Sequence, residues 1–396
     1  MLMSRITEER DVQQALIHYL RGLGWEVLPP VDALHARGDD PRQPFLPDVA
    51  RERLIALNPG LVTDANVADV LRRLRTVRAD MRGNEAFLRA LRGPWTVYDP
   101  AAKRERNLTL IAYDDLAANR FHVTQEFAFT DRDNRRADLM LFINGFPVVL
   151  IENKSPKKEA PEIEAFEQVQ RTYTHCIPEL LKFTQLFAAC DRRLHYGATW
   201  NDDLKAFYRW KANGKDYGLE RLSKTLLARE HVLRILRDYV IFYRADDQTH
   251  KFILRPHQMR ATDKIVRRVA LTSPPLGGTE GGLAAAPKTG LIWHTQGSGK
   301  SLTMIVAAAR LRRMPQLENP TLLIVVDRLE LESQMIQNLE AFGFPTVARA
   351  ESKDHLAELL RTDYRGLIVT LIHKFHRIDR DLNPRHNVVV LIDEAH

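Results

Sequence analysis

The sequence predicts an α/β protein of two domains: a mixed sheet flanked by helices, followed by a parallel-sheet domain. Three observations carry that prediction. At 396 residues the chain is too long for one compact core. From residue 290 onward, continuous apolar strands alternate with helices, the pattern of a parallel sheet covered on both faces. Between residues 121 and 153 three strand-like segments, FHVTQEFAF, ADLMLFI and PVVLIENK, follow one another with short breaks, and Asn144-Gly145 between the last two is a strong hairpin signal. The expected domains are 1–245 and 246–396, with a Gly- and Pro-rich loop at 272–288 inside the second.

The elements follow in order. In TEERDVQQALIHYLRGLG the apolar residues Val12, Leu16, Tyr19, Leu20 and Leu23 recur at helical spacing, and Gly24 is placed to cap the C-terminus. Residues 29–60, rich in Pro and charge, read as irregular. Residues 64–92 suggest two helices, and helical segments return at 161–185. After the helix ATDKIVRRVAL the expected order is a strand (GLIWHT), a Gly-rich turn, a helix (KSLTMIVAAARLRR), a strand (TLLIVVD), a helix (RLELESQMIQNLEAFG) and the strands GLIVTL and VVVLIDE.

Composition narrows the class. With 44% hydrophobic and 28% charged residues the chain reads as globular, and its two cysteines, Cys176 and Cys190, exclude a disulfide scaffold and fit a reducing cytosol. No run of eighteen apolar residues suggests a membrane span, and the charged N-terminus MLMSRITEERDVQQ lacks the apolar core of a signal peptide. The expectation is a cytoplasmic protein with no membrane partner. A net charge of +7 permits a polyanionic partner without establishing one.

The turn TQGSGKS, residues 295–301, carries the first chemistry. Gly297 and Gly299 let the backbone of Gln296, Ser298 and their neighbours curl so that N–H groups point inward; Lys300 adds a cation and Ser301 a hydroxyl for Mg²⁺. The following helix presents its positive end to the same phosphates. A strict phosphate-loop pattern needs Gly at 294, where this chain has His294. About ninety residues later VVVLIDEAH ends a hydrophobic strand in two acids, Asp393 to hold Mg²⁺ and Glu394 to orient or deprotonate water. A strand ending in solvated acids is the bland alternative, and the two motifs in this order, both at strand C-termini, favour nucleotide binding over it.

With these residues in place, 252–396 resembles the superfamily 2 helicases and translocases. Arg255-Pro256-His257-Gln258 matches the motif in which a glutamine reads adenine, so the resemblance implies that Gln258 favours ATP. VVDRLELESQ resembles the next motif, with Asp327 and Arg328 after the strand, and DEAH is the name-giving one. The resemblance stops at His396, before a second motor lobe with its arginine finger, so the expectation is a fragment or truncated product.

The second constellation is Asp138, Glu152 and Lys154. Glu152 and Lys154 are two apart on a strand and share a face. Two carboxylates can hold one or two Mg²⁺ ions, and a neighbouring lysine can stabilise a pentavalent phosphate or orient water. Register tests the idea: a two-residue Asn-Gly loop pairs Ile143 with Phe146 and sets Asp138 opposite Ile151, whereas a three-residue loop or one bulge sets Asp138 opposite Glu152. Pro147 favours the irregular alternative. An isolated D…ExK pattern is more often a surface hairpin with a cross-strand ion pair.

The stretch ANRFHVTQEFAFTDRDNRRADLMLFINGFPVVLIENKSP, with the later QVQRTYTHCIPELLKFTQLFAACDRRLHYGATW, resembles the nuclease domain of type I restriction enzyme motor subunits, a PD-(D/E)xK fold. The order, nuclease before helicase-type motor with a RecA-like first lobe, matches as well. The resemblance implies ATP-dependent translocation and Mg²⁺-dependent cutting of double-stranded DNA, with separate modification (methyltransferase) and specificity subunits as partners. Ala137 stands where the family has proline. The family's Gln-x-x-x-Tyr element is off register, because Gln168 and Gln170 flank the position four before Tyr173. Glu9 is either an added acid of the site or an ordinary helix N-terminal glutamate.

Two other readings stay open: a helicase or remodeller with a non-catalytic N-terminal domain, and an inactive nucleotide- and partner-binding fragment. His35, His122, His175 and Cys176 lack metal-ligand spacing. The arginines of LRRLRTVRADMR read as a solvated helix face rather than a DNA track.

Overall fold

The computed structural model describes residues 9–215, 217–245, 248–272, 289–344, 346–376, 378 and 382–394. The chain divides into two compact units, 1–242 with 249–253, and 243–248 with 254–396.

The first unit is built on a seven-stranded mixed sheet. The first helix, Glu9–Gly22, leads into β1 (Glu26–Leu28) through Gly24, whose positive φ of 83° lets the chain turn. Its apolar stripe is buried as the spacing predicts, at Val12, Leu16, Tyr19 and Leu20. Residues 29–60 are more ordered than expected: they hold helices Pro30–His35 and Pro47–Leu57. In each, a proline occupies the first turn, where its missing N–H costs no hydrogen bond, so the prolines start helices here rather than exclude them. Helices Val67–Arg75 and Met81–Arg92 follow, then a separate two-stranded ribbon, β2 (Thr96–Asp99) and β3 (Arg104–Asn107).

The sheet continues with β4 (Phe121–Thr130), β5 (Asn134–Ile143), β6 (Phe146–Asn153), β7 (Leu186–Cys190), β8 (Leu194–Ala198) and β9 (Tyr208–Arg209), in the spatial order β1-β4-β5-β6-β7-β8-β9. β1 runs parallel to β4 and β6 to β7; the other neighbours are antiparallel. Between β6 and β7 the chain crosses over through helix Pro161–Glu167 and a π-helical turn, Gln168–Tyr173. Phe127, Met140, Phe142, Leu150, Phe166 and Phe187 form the core between sheet and crossover. β6 is buried along its whole length, which is why it reads as a continuous apolar run until its charged end.

The chain passes between the units in the hairpin of β10 (Val240–Ala245) and β11 (Gln248–Ile253). The second unit has a four-stranded parallel sheet of β12 (Thr321–Val326), β13 (Val347–Arg349), β14 (Leu367–Leu371) and β15 (Val388–Ile392), ordered β13-β14-β12-β15. Leu322, Ile324 and Val326 pack on one face under helices Lys300–Arg312 and Leu329–Ala341, and Leu323 and Val325 on the other. Strand periodicity of two thus buries both faces.

One expected strand is missing. GLIWHT forms no strand; Leu291 is 74% and Trp293 87% exposed. β-propensity stabilises little without a ladder partner, and this segment has none among the described residues. β15, at the sheet edge, correspondingly leaves Val390 and Ile392 exposed. The expected loop at 272–288 lies, beyond Thr272, outside the described residues.

Candidate functional site

The hairpin of β5 and β6 sets the first site. Asn144 and Gly145 both have positive φ, 51° and 84°, as a tight two-residue turn requires, and Ile143 pairs with Phe146. The tight turn is therefore present, contrary to the irregular loop that Pro147 suggested. The register nevertheless shifts by one residue between Phe142, paired with Pro147, and Leu141, paired with Val149. Leu139 then pairs with Ile151, and the next step sets Asp138 opposite Glu152. The bulge absorbs the proline and corrects the register that the turn alone would have imposed.

Asp138, Glu152 and Lys154 are brought together. Asp138 Oδ2 accepts the Asn153 N–H at 2.6 Å. Lys154 Nζ lies 3.9 Å from Glu152 Oε2 and 3.6 Å from Glu164 Oε1. Glu152 is 1% exposed and Lys154 6%. Burial first, then the charge of Asp138, pushes the Glu152 carboxyl well above its ordinary value, and Lys154 opposes that shift.

Gln168 joins the pair. Its Oε1 accepts from Lys154 Nζ at 2.6 Å, and its amide donates to Glu152 Oε2 at 2.8 Å and to Tyr173 Oη at 2.7 Å. Every hydrogen of that amide is used. Tyr173 in turn donates to the Arg136 carbonyl at 3.0 Å, and burial raises its pKa, so the phenol stays a donor. Here lies the answer to the off-register glutamine. At 3.6 residues per turn, residues five apart point about 140° away from each other. The π-turn over Gln168–Tyr173 widens the helix so that residues five apart come into line. Gln170 serves elsewhere, donating to the Ala198 carbonyl at 2.7 Å.

Three residues that the sequence reading missed complete the surroundings. Gln13, from the first helix, donates to Glu126 Oε1 at 3.0 Å and to the Asp138 carbonyl at 3.1 Å. Glu126 Oε2 binds Arg136 Nε at 2.8 Å. The glutamine's helical position and the arginine's place two before Asp138 were legible, but nothing local marks Glu126. The side chain of Glu9 lies outside the described residues.

The donor set fits a hard divalent cation. Asp138 and Glu152 offer oxygen only, and Glu152 Oε1 is buried without a hydrogen-bond partner. Among the described residues no group of three or more His, Cys, Asp or Glu has metal-holding spacing, and Mg²⁺ typically takes one or two carboxylates together with water and phosphate oxygens.

The second unit gathers the other predicted residues. Gly297 and Gly299 have φ of 73° and 82°, so the turn curls through left-handed conformations that glycine adopts freely, and helix Lys300–Arg312 starts at once. Lys300 Nζ hydrogen-bonds Glu394 and lies 3.5 Å from Asp393 Oδ1; the Glu394 contact raises its pKa. Ser301 is the second residue of that helix, and Gln296 is exposed in the turn. Gln258 is buried against the loop, donating to the carbonyls of Ser298 at 3.2 Å and Gly299 at 3.3 Å. His294, where a glycine was wanted, meets the Ser298 hydroxyl at 3.1 Å.

Residues 5–203 match the family model described as type I restriction enzyme R protein N terminus. The chain belongs to that family. Residues 257–396 match the SWI2/SNF2 ATPase model, so the R-protein region is followed by an ATPase domain. The type I restriction enzyme HindI endonuclease subunit of Haemophilus influenzae is 29% identical over 98% of this chain and 39% of its own length. The putative MjaIXP and MjaVIIP endonuclease subunits of Methanocaldococcus jannaschii are 27% and 33% identical, over 99% and 68% of this chain and 40% and 27% of theirs. The chain spans about two fifths of the length of the first two of these R-protein relatives.

Proposed function

We propose that this chain is the nuclease and first motor-lobe portion of a type I restriction R subunit, which moves double-stranded DNA with ATP and cuts it with Mg²⁺. The observation that carries the reading is the buried Glu152–Gln168–Lys154 network with Asp138 brought opposite Glu152 by a bulge. Burying two charges is costly; a surface hairpin would leave them in water.

In this reading 1–245 is the nuclease domain and 246–396 the RecA-like lobe. Asp138 and Glu152 would hold Mg²⁺ through carboxylate oxygens. That ion would supply Lewis acidity and an activated water. Lys154 carries its ammonium to the phosphate, and Gln168, by holding Lys154 and Glu152 at once, fixes their separation. In the motor Lys300, paired here with Glu394 and 3.5 Å from Asp393, would meet the ATP phosphates, Ser301 and Asp393 would hold the nucleotide's Mg²⁺, and Glu394 would orient the attacking water. Gln258 acts through the loop it braces. Two free cysteines support a cytoplasmic setting, and no described helix is long and apolar enough to cross a membrane. Modification and specificity subunits are the proposed partners, as DNA readers.

The test is plasmid cleavage with Mg²⁺ by this chain and its Lys154→Ala variant, each alone and with modification and specificity subunits and ATP. Cutting that vanishes with Lys154→Ala supports the reading. Unchanged cutting by the variant in the assembled complex overturns the site and favours a motor with a non-catalytic first domain.

A further inference from the structure

We propose that Arg136, braced by Glu126, is a positioning residue that grips a DNA backbone phosphate beside the Asp138–Glu152–Lys154 cluster. The inference rests on the nuclease reading and adds a substrate contact to it. Lys154 serves the phosphate at the cluster itself: it is nine-tenths buried and engaged by Gln168, Glu152 and Glu164, so holding a neighbouring backbone phosphate falls to a more exposed cation. Arg136 is the opposite case. It precedes Asp138 by two residues on β5, and its side chain is 66% exposed.

Glu126 Oε2 pairs with the guanidinium at 2.8 Å from Nε, and with two thirds of the side chain exposed the group stays open to solvent, where its fork can match two phosphate oxygens. Its backbone is held too, because the Arg136 carbonyl accepts from Tyr173, the end of the chain running from Lys154 and Glu152 through Gln168.

The brace carries a signature of its own. Glu126 lies mid-strand at φ 52°, a left-handed conformation rare for a non-glycine residue. It interrupts the ladder at the step between Gln125–Leu139 and Phe127–Ala137, the step that faces Asp138. Such conformations persist where the surroundings over-determine them, and they cluster at functional sites. Here Gln13 over-determines it, buried and donating to both the Glu126 carboxylate and the Asp138 carbonyl. An ordinary surface ion pair stabilises little and would require neither the strained backbone nor a buried glutamine behind it.

The experiment measures binding of a short non-specific DNA duplex by the full chain carrying Lys154→Ala, over a range of salt concentrations, with and without Arg136→Ala, Arg136→Lys or Glu126→Gln. Arg136→Ala is expected to weaken binding about tenfold and to reduce the salt slope by about 0.9, the loss of one phosphate contact. Arg136→Lys keeps the slope but recovers only part of the affinity, since a point charge lacks the fork. Glu126→Gln falls between. In the cutting-competent protein Arg136→Ala raises KM with kcat held within about threefold. The proposal is overturned if affinity and salt slope are unchanged in a folded Arg136→Ala protein, if kcat falls while KM stays, or if the parent binds no duplex at low salt. Because binding is read without cutting, a wrong nuclease assignment appears separately, as normal cutting by Lys154→Ala.

Discussion

The two candidate sites hold similar groups, a lysine between two acids, in opposite surroundings. At the end of β6, Glu152 and Lys154 are almost wholly buried, and each is bonded to Gln168. In the second unit Lys300 and Glu394 each expose about a third of the side chain, one at the start of a helix and the other after the edge strand β15, next to a segment whose Leu291 and Trp293 face solvent. The first cluster is assembled by the core that surrounds it, before any ligand arrives. The second is a set of loop ends whose cation is held by carboxylates at the place where phosphates would compete for it. Preorganisation thus differs between the sites, and so should the consequences of changing each lysine.

The largest effect tests function in a cross. Lys154→Ala should lower DNA cutting by at least about 100-fold while ATP binding, read by nucleotide titration, stays unchanged. Lys300→Ala should do the reverse at the ATP site. Loss of both activities in either variant would mean that the two sites do not act separately.

The next effect concerns stability. Glu152 keeps a carboxylate almost wholly buried and close to the charge of Asp138, so Glu152→Gln, which removes that charge, should raise Tm without Mg²⁺ at neutral pH. The pH dependence has a definite sign. The folded-state pKa lies above the ordinary 4.5, so the folded protein binds the proton more tightly than the unfolded chain does. The native state is favoured below 4.5, and that advantage is lost as pH rises through the folded pKa. Thermal melts across pH should therefore show wild type falling relative to Glu152→Gln. Added Mg²⁺ should restore wild type alone, because it binds the charged form. Parallel melting curves for the two proteins would sink this account.

How far the sequence carried these sites follows from what is local. The phosphate loop was legible because its chemistry lies in seven consecutive residues. Asp138, Glu152 and Lys154 were legible as residue types at strand spacing, but their meeting depended on a bulge that coexists with the tight turn, and the turn signal alone argued against it. Gln168 looked misplaced because helix spacing was assumed to be 3.6; a single π-turn has no reliable local signature. Glu126 and Gln13 could not be found, since they meet 113 residues apart. The strand expected at GLIWHT failed for the converse reason: local propensity was strong, but a strand exists only with a neighbour. Residues 29–60 erred through composition, where proline was read as a breaker although it sits at helix starts.

A smaller effect sharpens the role of the π-turn. Tyr173→Phe removes one donor from the Arg136 carbonyl and one acceptor from Gln168, but leaves Gln168 its bonds to Glu152 and Lys154. It should cost about 1 kcal/mol of stability and reduce cutting less than Gln168→Ala does. An equal loss in the two variants would show that the tyrosine, and not the glutamine, organises the cluster.

The smallest expected effect is the most direct measure of the contrast. Lys300→Ala removes the hydrogen bond to Glu394 and the 3.5 Å approach to Asp393, yet Lys300 and Glu394 are each about a third exposed, and ion pairs of that kind contribute about 0–1 kcal/mol. Tm should therefore move by no more than about 2–4 °C, and added salt should shrink even that difference. Lys154→Ala strips Glu152 of its cation inside the core, where an uncompensated charge is far more costly, so its Tm should fall further at pH 7 and recover in Lys154→Ala/Glu152→Gln. If instead Lys300→Ala melts lower than Lys154→Ala, the phosphate loop is held by its ion pairs rather than merely occupied by them, and the distinction between a cluster made by the core and one made for a ligand fails.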